Sequence, residues 1–114
     1  MNILDENVGQ SQRDLLRKQR IAVRKIGLDI GKKGLSDNEI VVLLHSLDRP
    51  TFFTIDPDFF RPQLCHAGYC LVFLDVAGKR VAEYTRRVLK HPQLNTRAKR
   101  MGQVLRATAE GLVG

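Results

Sequence analysis

Apolar residues in this chain recur in two rhythms, one short and dense, the other spaced at helical intervals. The stretches "MNIL" at 1–4 and "TFFTI" at 51–55 read as strands, and "CLVFLDV" at 70–76 is almost unbroken, the pattern of a strand covered on both faces. "IAVRKI" at 21–26 alternates apolar and polar residues, as a strand does. The segment from about Val8 to Arg20 sets Val8, Leu15 and Leu16 among polar residues, as in a surface helix. In "SDNEIVVLLHSL", Ile40, Leu43, Leu44 and Leu47 share one helical face, and Val81, Tyr84, Thr85, Val88 and Leu89 repeat that spacing before His91 and Pro92 close the helix. Asn95 or Thr96 is placed to cap a last helix, with Ala98, Met101, Val104 and Leu105 inward.

Strand and helix thus alternate, which predicts an α/β protein: a mainly parallel sheet with helices on both faces, in three α/β/α layers. The apolar "GLVG" at the end reads as the sign of a final strand that is missing or supplied from elsewhere. At 114 residues the chain has material for one hydrophobic core, so a single domain over 1–114 is expected.

Composition narrows the partners. Nineteen Lys and Arg against twelve Asp and Glu leave a formal charge of +7, which favours a polyanion. No apolar run reaches the length of a membrane span, and "MNILDENVGQ" has neither a basic start nor a cleavable apolar core, so a cytoplasmic protein is expected. Cys65, His66 and Cys70 in "LCHAGYC" lack the second Cys or His pair of a structural zinc site and read as free thiols and a structural histidine. His45 and His91 read the same way, one on a helix and one at a helix end.

In a parallel sheet, segments that leave strands and enter helices collect along one edge, where ligands bind. The scarce acids fall there. Asp5 and Glu6 follow the first strand, Asp56 and Asp58 follow "TFFTI", and Asp37 and Glu39 open a helix. Each also has a local role available. "SDNE" is a capping box with Ser36 as N-cap and Glu39 reaching back, and "DP" is an N-cap followed by proline in the first helical position. Three segments bringing carboxylates to one edge nevertheless suit a hard divalent cation, which takes a few carboxylate oxygens and several waters.

Three stretches, "ILDENV", "GLSDNEIV" and "TIDPDFF", carry in order a resemblance to a short PIN-like family, itself similar to the toxin-type ribonucleases of bacterial toxin-antitoxin pairs. The resemblance covers roughly the first two thirds of the chain. It implies a magnesium- or manganese-dependent site that hydrolyses RNA phosphodiester bonds. Asp5, Glu39, Asp56 and Asp58 would be the catalytic and metal-holding acids, Glu6 and Asp37 would be additional candidates, and Glu39 would be preferred to Asp37. Lys32, Lys33, Arg86 and Arg87 would position the RNA. Its implied partners are RNA and a small antitoxin protein, with room for a homodimer. The alternatives are a PIN-like module that binds RNA or protein without cutting, a phosphoacceptor domain, for which "FLDVAGKR" offers only Lys79 as the lysine, and a DNA-binding protein, for which no helix-turn-helix or zinc pattern is present.

Overall fold

The computed structural model describes all residues from Met1 to Gly114. Chain order runs β1 (Asn2–Leu4), α1 (Gln10–Lys18), β2 (Arg24–Lys25), α2 (Asp37–Ser46), β3 (Thr51–Thr54), β4 (Cys70–Leu74), α3 (Val81–Lys90), α4 (Arg97–Arg100), β5 (Val104–Thr108) and β6 (Gly111–Val113). Single 3-10 turns cover Pro57–Phe59, Pro62–Leu64 and Gly78–Arg80. The strands form one sheet in the order β2-β1-β3-β4-β5-β6, parallel except for the antiparallel pairing of β6 with β5. The first five strands thus follow the doubly wound order 2-1-3-4-5, whose direction of winding reverses between β1 and β3. No helix is long and apolar enough to cross a membrane.

Register explains the two faces. Leu4, Phe53, Val72 and Leu105 are neighbours across four strands and belong to one apolar cluster, beneath α1 and α3. One residue earlier, Ile3, Phe52 and Leu71 make the matching row on the opposite face, packed under Ile40 and Leu44 of α2. Both faces of the central strands are therefore dry, which is why β3 and β4 show no polar alternation. The buried amide of Gln12 ties the first layer together: its Oε1 accepts from Ala82 N at 2.9 Å, supplying a partner to an otherwise unpaired N–H in the first turn of α3.

Two expectations are corrected at the C-terminal end. The last helix spans only Arg97–Arg100, and Ala98 is exposed rather than inward. Met101, at φ −57° and ψ 137°, leaves the helix, and Gly102 at φ +82°, which glycine takes without strain, completes a turn in which Gln103 N donates to Arg100 O at 3.1 Å. Val104 and Leu105 then lie on β5, where Leu105 and Ala107 point into the core with the period of a strand. The final strand is present within the chain: Gly111–Val113 of "GLVG" folds back as β6, pairing Arg106 with Val113 and Ala107 with Leu112. The "IAVRKI" strand is also shorter than its alternation suggests, reduced to the two residues of β2.

Candidate metal centre

The carboxyl ends of β1 and β3, on either side of the reversal point, place their following residues side by side. Asp5 N donates to Phe53 O at 2.9 Å, which extends the β1–β3 ladder one step past the strand. The Asp5 side chain is left at the edge of the sheet but is only 6% exposed. Thr54, at the end of β3 and fully buried, donates its hydroxyl to Asp5 Oδ2 at 2.6 Å and accepts from Asp56 N at 3.0 Å. Asp56 caps the 3-10 turn at Pro57, its Oδ1 accepting from Asp58 N at 2.9 Å. A continuous line of hydrogen bonds therefore runs from Asp5 through Thr54 to Asp56 and Asp58.

The third segment comes from the helix layer on the face where Phe59 packs with Ile40 and Leu44. The N-terminus of α2 is closed by the expected capping box, with Glu39 N donating to Ser36 Oγ at 3.2 Å and Ser36 N to Glu39 Oε1 at 3.0 Å. That occupation decides between the two acids of the turn. Glu39 is committed to its cap and lies along the outer side of α2 with Lys32, whereas Asp37 turns to the loop after β3. Carboxylate oxygens of Asp37, Asp56 and Asp58 lie within 4.8 Å of one another. The preference for Glu39 is thus reversed: Asp37 joins the cluster, and Glu39 stays outside it.

Electrostatics couple Asp5 to this group. Burial pushes the Asp5 carboxyl above its ordinary value, the Thr54 hydroxyl and the Glu6 backbone oppose that shift, and the charges of Asp56 and Asp37 add to it. Asp37 is raised as well, by desolvation first and then by Asp56 and Asp58, with Arg61 opposing. Glu39 moves the other way, lowered by its hydrogen bonds to Ser36 and by nearby Lys32. Like charges held this close favour either protonation or a cation.

The donors fit a hard divalent ion. Oxygens bound to one magnesium at 2.0–2.1 Å stand about 2.9 Å apart when adjacent and about 4.2 Å when opposite, so the three oxygens, within 4.8 Å of one another, would draw together by up to about 2 Å to share one ion. All its donors are carboxylate oxygens, with no nitrogen or sulfur, which suits magnesium or manganese over zinc.

The other predicted residues are distributed around this edge or away from it. Glu6 accepts from Gly34 N at 2.8 Å and so fastens the loop between β2 and α2. Lys33 lines a small cleft with Glu6 and Gly27, and both Lys32 and Lys33 are exposed on that loop, on the acidic side of the sheet. Arg86 and Arg87 sit on the outer face of α3; Arg87 pairs with Glu83 at 2.9 Å and lies over the Tyr84 ring at 4.7 Å. Two residues of the site escaped the sequence reading. Arg61, whose Nε donates to Asp58 O at 3.0 Å, is the cation nearest the cluster's own loop, and Thr54 is its buried link. A threonine two residues before Asp56, closing an apolar run, was the available signal for Thr54. Asp75 after β4 also reaches this edge, but Arg106 binds it at 2.6 Å.

Cys70 is buried, its thiol pushed up to about 12 by desolvation, and Cys65 is exposed, with Sγ donating to Gly102 O at 3.1 Å. The chain matches no protein-family model, no curated protein and no solved structure.

Proposed function

We propose that this protein is a PIN-like, divalent-metal-dependent endoribonuclease of the toxin type. The observation that carries the reading is the convergence of Asp37, Asp56 and Asp58, from two layers, at the reversal point of a doubly wound sheet with buried Asp5 behind them. Asp37, Asp56 and Asp58 would hold magnesium or manganese, which when bound polarises a phosphate and lowers the pKa of a bound water. Thr54 holds Asp5 in one orientation, and Asp58 is fixed by the turn that Asp56 caps. Arg61 and the loop lysines Lys32 and Lys33 supply positive charge for the phosphate backbone.

The phosphoacceptor alternative is weakened at β5, which ends on Thr108 and is followed by Ala109 and Glu110, with no lysine among them. A small antitoxin protein is the regulatory partner that belongs to this reading, and an Arg or Lys inserted among three carboxylates would compete with the ion. Cleavage of a labelled single-stranded RNA, with magnesium or manganese and then with chelator, tests the activity. The wild type should cut only with metal, and Asp56→Asn should lose most of that activity while keeping its circular dichroism spectrum. Equal cleavage by wild type and Asp56→Asn in magnesium would refute the assignment.

A further inference from the structure

The acidic edge accounts for only one end of the sheet. At the other end, where parallel strands begin and α1 and α3 finish, the surface is basic. An open cleft of about 550 Å³ runs beside the start of β1 and is lined by Arg17, Arg20 and Arg24 with no acid. On the other side of α1, a cleft of about 480 Å³ between α1 and α3 is lined by Arg86, Arg87 and Lys90 against the single acid Glu83. The C-terminal half of α1 stands between the two clefts. Two of these bases are partly engaged: Arg17 donates to Val23 O at 2.9 Å and lies 3.5 Å from Asp29, and Arg87 pairs with Glu83. Arg20, Arg24, Arg86 and Lys90 are exposed and have no ion pair or side-chain hydrogen bond.

We propose that this end of the molecule is a second docking surface, remote from the acidic cluster, for the sugar-phosphate backbone of single-stranded RNA. It rests on the proposed function only for its choice of RNA as the polyanion. Arginine predominates, and its planar donors match phosphate oxygens in pairs. Neither cleft is lined by an aromatic side chain on which a base could stack, so the contact is to the backbone and indifferent to sequence. Geometry adds a length requirement. No extent of the molecule exceeds 30 Å, so at roughly 3.4 Å per stacked nucleotide an RNA of about nine nucleotides is long enough to touch both ends. RNA of a few nucleotides reaches one end at a time.

The test is fluorescence anisotropy with labelled uridine-rich RNAs of about four and about fifteen nucleotides, on either side of that limit. It is run in chelator over a series of salt concentrations, so that binding is read without metal or cleavage. The variant Arg20→Gln/Arg24→Gln/Arg86→Gln/Lys90→Gln should bind the longer RNA about tenfold or more weakly at low salt. Its log K against log salt should be flatter by about three, at roughly 0.7 per neutralised phosphate. Asp56→Asn should bind at least as well as the wild type. In cleavage assays with metal, the fourfold variant should show a raised KM for the longer RNA and an unchanged kcat, with the short RNA cut as by the wild type. Unchanged affinity and salt slope in the variant, or stronger binding to anionic lipid vesicles than to RNA, would overturn the proposal. Charge-dependent binding of RNA by a wild type that never cuts it would leave this surface standing and remove the nuclease reading instead.

Discussion

Thr54→Val tests the inner support of the candidate site. The replacement keeps the shape of a fully buried side chain and removes the hydroxyl that links Asp5 Oδ2, at 2.6 Å, to Asp56 N, at 3.0 Å. A hydrogen bond to an ionised group contributes about 1.5–3 kcal/mol and a neutral one about 0.5–1.5 kcal/mol, so the variant should lose about 2–4 kcal/mol at pH 7. The loss should depend on pH. Burial raises the Asp5 pKa, so the native state binds this proton more readily than the unfolded state does. The resulting contribution to stability is complete below the ordinary value of 3.8, falls as pH rises through the raised native value, and is level above it. Without the hydroxyl, the native value rises further and the decline extends to higher pH. The variant's deficit should therefore shrink by about 1–2 kcal/mol on going from pH 7 to pH 4, as the charged bond becomes a neutral one. Urea unfolding followed by circular dichroism, in chelator at both pH values, measures this directly. A deficit of equal size at the two pH values would show that Asp5 is not the charged partner of Thr54.

The roles of the two acids in the first turn of α2 separate in a thermal shift experiment: magnesium should raise the melting temperature of the wild type and of Glu39→Gln, but not of Asp37→Asn. A lost magnesium response in Glu39→Gln with an intact one in Asp37→Asn would restore Glu39 to the cluster. Gly27→Ala should destabilise the protein by about 1–2 kcal/mol, because the residue sits at φ +83° and a Cβ would stand 3.0 Å from Glu6 Oε2 and 3.1 Å from Lys33 Cγ. An unchanged urea midpoint would mean that the β2–α2 loop shifts freely.

Much of the layered fold was legible because its signals are local. Unbroken apolar runs marked β3 and β4, and helical spacing marked α2 and α3. The C-terminal end was misread for a physical reason: Leu105 satisfies both the helical series from Ala98 and the period-two series of β5, and Gly102 is what selects the strand. β6 is short and half exposed, and its pairing with β5 depends on a turn that apolar pattern does not reveal. The gathering of Asp5, Asp56 and Asp58 along one edge of the sheet was legible from their places after strands. Glu39 was preferred over Asp37 because a capping residue and a ligand look alike in sequence, and only the direction of the first turn tells them apart. The distal basic clefts could not be read, since Arg20 and Arg24 meet Arg17 only after α1 returns the chain to the start of β2.

The central claim, that the acids at the reversal point form a divalent-cation site, is tested most directly by calorimetric titration of magnesium into wild type and Asp56→Asn at neutral pH and low ionic strength. The account predicts one saturable site in the wild type, strongly weakened in Asp56→Asn. Identical isotherms for the two proteins, or no saturable binding by the wild type, would contradict it.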